Sequence, residues 1–114
     1  MKNNRYNGII DKLLEATSEG SLSWDQTSNK NEYQAVIGDI SVLIVGPRKS
    51  LGFSTNLDME SMSIALVNKD GIEIDRQKVE KSDASYDNFL ILCDRVRLQY
   101  YKVDEVLSEL ENKL

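Results

Sequence analysis

The fourteen residues "EYQAVIGDISVLIV" (32–45) limit the fold more than any other part of the chain. They read as two strands joined by the two-residue turn Gly38-Asp39, because a leading glycine suits the type II′ geometry that follows strand twist. The register can be worked out from the turn. Ile37 then faces Ile40, Ala35 faces Val42 and Tyr33 faces Ile44, which puts six apolar side chains on one face of the sheet.

A second hairpin is expected in "SMSIALVNKDGIEIDR", where Asn68-Lys69-Asp70-Gly71 suits a type I turn closed by a glycine in the left-handed region. The expected faces group Ile64 and Leu66 with Ile72 and Ile74. Ser63, Glu73 and Asp75 fall on the other side beside Ala65 and Val67, giving a mixed, partly wetted face. Around these four strands the period is helical. Tyr6, Ile9, Ile10, Leu13 and Leu14 mark an N-terminal helix that Gly20 stops. Phe89, Leu92, Cys93, Val96 and Tyr100 mark a second, with Ser82 or Asp83 as its N-cap. Val103, Val106, Leu107, Leu110 and Leu114 mark a third run, with Asp104 and Glu105 at the positive end of its dipole. Propensity leaves open whether "QYYK" (99–102) breaks these last two helices or only bends them.

The expected fold class is therefore α+β: an N-terminal helix, a four-stranded antiparallel sheet from two hairpins, and one or two C-terminal helices packed on one face. At 114 residues a single domain, 1–114, is expected. No Pro- or Gly-rich linker divides it. In the polar segment "SLSWDQTSNKN", Leu22 and Trp24 are the only large apolar groups, and Trp24 is expected to pin that connection to the core.

Chemistry is constrained mainly by what the sequence lacks. With no histidine, Ser-His-Asp and Cys-His catalysis are closed, and one cysteine rules out thiolate zinc clusters and paired-cysteine redox chemistry. Cys93, inside "FLILCDRV", reads as a small hydrophobe. Asp94, the one acidic residue in an apolar context, has Arg97 at i+3 and Arg95 beside it, so an ion pair is expected. No cofactor or metal is expected. "NKDGIEID" lacks the alternating ligands and flanking helices of a calcium loop.

"IVGPRKSLGFS" (44–54) invites comparison with a P-loop, but Gly46 and Gly52 have five residues between them rather than four. Phe53 also stands where the lysine belongs, and no helix signal follows. What survives is a weaker anion site in which Arg48, Lys49 and Ser50 offer charge-assisted hydrogen bonds. The formal net charge of −5 disfavours nucleic acid and anionic membrane as partners. No run approaches the roughly 18 apolar residues of a membrane span, and the start lacks a signal-peptide core, so a cytoplasmic location is expected.

The segments "IIDKLLEATSEGSLSW", "YQAVIGDISVLI", "LVNKDGIEI" and "LCDRVRLQYYKVDEVLSELENKL" together resemble a family of small bacterial and prophage-encoded domains of uncharacterised function. The shared marks are Thr17, Gly20, Leu22 and Trp24 after the first helix, an Asn-x-Asp-Gly hairpin and the "VDEVL" helix. This resemblance implies a compact α+β domain in a prophage or defence-related setting, although the connection from Gly46 to Asp58 is longer than in such domains. Together these readings give a non-catalytic binding protein of inhibitor, immunity or counter-defence type. Its expected partner is another protein, with a homodimer included, and its interface residues are Val103, Leu107, Leu110 and Leu114. The alternative is a binder of an anionic small molecule or nucleotide at the basic loop 46–52.

Overall fold

The computed structural model describes residues 1–47 and 62–114. Its elements are α1 (Arg5–Ser18), β1 (Asp25–Gln26), β2 (Glu32–Ile37), β3 (Ile40–Val45), β4 (Ser63–Val67), β5 (Glu73–Lys78), α2 (Tyr86–Tyr100) and α3 (Val103–Lys113). Among the described residues these make one antiparallel sheet in the order β1-β2-β3-β4-β5, with α1 and α2 packed together over one face.

The first hairpin has the expected register, Ile37 to Ile40, Ala35 to Val42 and Tyr33 to Ile44. Gly38 has φ +62° and Asp39 does not share the positive φ, as a type II′ turn requires. Ile44 and Ile64 on this face meet Ile10 of α1 and Phe89, Leu92 and Val96 of α2, all six being completely buried. Each such side chain contributes about 1.5–3 kcal/mol by leaving water. Helix α1 ends in a Schellman motif, with Gly20 at φ +78° and the Ser21 amide donating to the Ala16 carbonyl at 3.0 Å.

The structure corrects the sequence reading in four places. The sheet has a fifth strand, β1, paired through Asp25 to Gln34 and Gln26 to Tyr33. Two residues are too few to carry a period, so nothing in the pattern could mark it. It is held instead by its neighbour Trp24, which is buried and donates its indole N–H to Thr17 Oγ1 at 2.9 Å, so Trp24 does pin this segment to the core.

The second hairpin has its expected turn, with Gly71 at φ +80° and the Gly71 amide donating to the Asn68 carbonyl at 3.0 Å. Its faces differ, however. Leu66 pairs with Asp75 and Val67 with Glu73, so Ile74 is the extra residue of a bulge. The slip turns Ile72 and Ile74 outward and aligns Ile64 and Leu66 with Gln77 and Asp75. Third, the N-cap position of α2 is Ser85 rather than Ser82 or Asp83, and the Ser85 hydroxyl donates to Asn7 Oδ1 instead of capping the helix. Fourth, α3 does not pack on the sheet, and none of its residues is buried.

Cys93 lies in the core against Gly46, whose added Cβ would stand 3.4 Å from Cys93 Cβ. Burial pushes its thiol up to about 12. A thiol held protonated offers little thiolate, which is the reactive form. Native protein is therefore expected to react with a disulfide reagent far more slowly than protein in denaturant. Equal rates would show that the thiol is open to water. Among the described residues no helix is long and apolar enough to cross a membrane.

Candidate functional site

Among the described residues, two surfaces are apolar over several neighbouring side chains without being core: one side of α3 and a groove alongside α1. The first is α3. The last turn of α2 is anchored by Gln99, whose amide donates to the Leu22 carbonyl at 3.0 Å and whose oxygen accepts from the Trp24 amide at 3.3 Å. Tyr100 stacks edge-on to Tyr33, with ring centroids 5.6 Å apart. Two residues later Lys102 adopts a left-handed conformation, φ 52° and ψ 49°, so "QYYK" breaks the helix and α3 starts in a new direction.

At 100° per residue, Val103, Val106, Leu107, Leu110 and Leu114 lie within an arc of about 100° on α3. Val106, Leu107 and Leu110 are each 49–50% exposed and Leu114 is fully exposed, while Val103 is half-buried. The expected interface residues Val103, Leu107, Leu110 and Leu114 thus form one continuous stripe, with Val106 beside them. Asp104, Glu105, Glu109 and Glu111 make this helix acidic against Lys113, which Glu109 already engages at 3.0 Å.

The second surface is a groove of about 740 Å³ between α1 and the sheet. Its floor is Val42, Leu66 and Asp75, its far wall is Ile37 and Ile40 at the tip of the first hairpin, and its near wall is one side of α1 from Arg5 to Ala16. The lining is mostly apolar, and Ile9 and Ile37 stay more than 40% exposed in it. Arg5 and Lys12 stand on the α1 side, and among the described residues neither has an ion-pair partner.

One fixed polar contact lies at the bottom of this groove. Tyr6 Oη donates to Asp75 Oδ2 at 2.7 Å. Burial, then the bond to Asp75 and the charge of Asp75, push the Tyr6 phenol up to about 12. The same O–H, helped by the Gln77 amide, holds the Asp75 carboxyl below the usual carboxylate range. At neutral pH the pair is a neutral donor on a charged acceptor, not a group poised to exchange a proton.

Tyr33 is also pushed up to about 12, by burial and then by its neighbour Tyr101. A raised tyrosine contributes stability that is complete below the unfolded value near 10 and lost as pH rises through about 12. Unfolding followed by circular dichroism is therefore expected to show stability falling between pH 10 and 12. Tyr6→Phe should be less stable at pH 7, where Asp75 loses a donor, but should lose less across that alkaline window. An alkaline slope unchanged in Tyr6→Phe would contradict the assignment.

The sequence-predicted anion site, Arg48, Lys49 and Ser50, lies outside the described residues. The chain leading to it, Gly46 and Pro47, borders a smaller cavity of about 580 Å³ with Lys30, Cys93 and Arg97. The expected ion pair is present, with Arg97 bound to Asp94 at 3.1 Å. At the calcium-like "NKDG" the Asn68 oxygen accepts from the Asp70 and Ile72 amides, both at 3.0 Å, so it is used in the turn. Among the described residues no cluster of three acidic or cysteine side chains could hold a metal ion.

Sequence reasoning missed the groove. Its signals were an isoleucine, Ile9, flanked at helical spacing by Arg5 and Lys12, and a hairpin whose apolar face runs on past the helix to Ile37 and Ile40. Comparisons with protein-family models, curated proteins and solved structures give no match.

Proposed function

We propose that this chain is a non-catalytic binding protein, acting in the cytoplasm through a protein–protein interface centred on the apolar stripe of α3. The observation that carries this reading is that Val106, Leu107 and Leu110 are half exposed on a helix that adds nothing to the core. An eleven-residue helix without tertiary packing is marginal in water, and an apolar stripe on it gains stability only against another surface. The chemistry of the chain supports binding over catalysis. Its one thiol and the phenol in its groove are both held in their protonated forms.

The partner suited to α3 is a groove with an apolar floor and a basic rim, since helix-in-groove recognition reads anchors at i, i+3, i+4 and i+7. The resemblance to prophage-encoded domains supports an inhibitor, immunity or counter-defence role. Light scattering and a pull-down from bacterial lysate test the reading, comparing the wild-type chain with Leu107→Gln/Leu110→Gln. The wild type is expected to associate, with itself or with a captured protein, and the variant to lose that association. A monodisperse monomer that captures nothing, or a variant that associates as the wild type does, would count against it.

A further inference from the structure

The chain carries both halves of such a contact: an acidic helix with an unpartnered apolar stripe, and a mostly apolar groove with basic residues on one wall, the one carboxylate in its floor, Asp75, being already bound by the Tyr6 O–H and the Gln77 amide. We propose that α3 of one copy lies in the α1–sheet groove of a second copy, and reciprocally, so that the protein is a two-fold dimer. This rests on α3 being a contact surface, and names its occupant.

Three features fit. The first is length: the groove wall from Arg5 to Ala16 rises about 16 Å along α1, and the eleven residues of α3 rise about 16 Å. The second is charge. Arg5 and Lys12 are seven residues apart, two turns and about 10 Å, on the groove side of α1. Asp104 and Glu111 are also seven apart, about 80–100° round α3 from Val103 and so along one flank of the stripe. Among the described residues none of these four has an ion-pair partner within the chain. Docking would set two cations of one helix opposite two carboxylates of the other at matched spacing. The third is closure. In a reciprocal exchange each copy gives one helix and receives one, so both surfaces are used and the assembly ends at two.

Charge exchange tests this in the full chain by sedimentation velocity. The wild type is expected to be dimeric. Arg5→Glu/Lys12→Glu places acidic groups on both sides of each contact, and Asp104→Lys/Glu111→Lys places basic groups on both sides, so each variant alone should dimerise at least about tenfold more weakly. Mixed, the two should form a heterodimer of wild-type strength, because every helix then meets a groove of opposite charge. Circular dichroism should show both variants folded, and the heterodimer itself excludes misfolding as the cause of their weakness.

A monomeric wild type, a groove variant that dimerises normally, or a mixture that stays monomeric would overturn the proposal. If Leu107→Gln/Leu110→Gln still abolishes association or capture in those cases, α3 remains a contact surface and only the groove is wrong. If that variant changes nothing, the wider reading fails too.

Discussion

Replacing Trp24 by alanine is expected to cost about 3–5 kcal/mol, the usual range for emptying a buried aromatic site. Against a total of about 5–15 kcal/mol for a domain of this kind, that is a large fraction, and the melting temperature should fall by roughly 15 °C. The cost has two sources. The buried ring leaves a void among the core residues, and Thr17 Oγ1 loses the indole donor while it continues to donate to the Leu13 carbonyl at 2.7 Å. The same change frees a buried anchor next to β1, whose two residues make a short ladder on the edge of the sheet. Trp24→Phe should separate the parts, since it keeps most of the ring and loses the N–H, at about 1–2 kcal/mol. Urea titration followed by circular dichroism measures both. A Trp24→Ala protein as stable as the wild type would show that the segment is not tied to the core.

The opposite outcome is expected on α3. Leu107→Gln/Leu110→Gln should change the stability of the dissociated chain by no more than about 0.5 kcal/mol, because the positions are half exposed and glutamine is nearly as good a helix former as leucine. Leu92→Ala, one buried leucine in α2, should cost about 2–5 kcal/mol in the same assay. Association should respond in reverse. Two leucines buried at an interface contribute about 1.5–3 kcal/mol each, so the double variant should weaken binding by a factor of about a hundred or more, while Leu92→Ala weakens it only through loss of folded protein. Equal destabilisation by the α2 and α3 variants would place α3 in the core.

Much of this fold is legible because period and turn chemistry agree. Gly38-Asp39 and the alternation on either side fix the first hairpin residue by residue, and Phe89, Leu92, Cys93 and Val96 fix the buried face of α2. The misreadings have identifiable physical causes. One extra residue at Ile74 reverses the faces of β5, and a bulge of that kind leaves no mark in an alternating pattern. The period of α3 was legible, but not what it packs against, since a stripe at helical spacing has the same form whether it meets a sheet or a partner. The break at Lys102 decides the matter, and a lysine in the left-handed region is not something its residue type announces. The groove was less legible still, because it is assembled from α1, a hairpin tip and β5, which only the fold brings together.

The claim on which the functional reading depends is that α3 stands outside the core, and amide hydrogen exchange tests it most directly. In dilute protein the amides of 103–113 are expected to exchange orders of magnitude faster than those of Phe89 to Val96, and to slow when the chain is concentrated or bound to its partner. Protection of 103–113 as strong as that of α2 in the dilute, dissociated chain would contradict it.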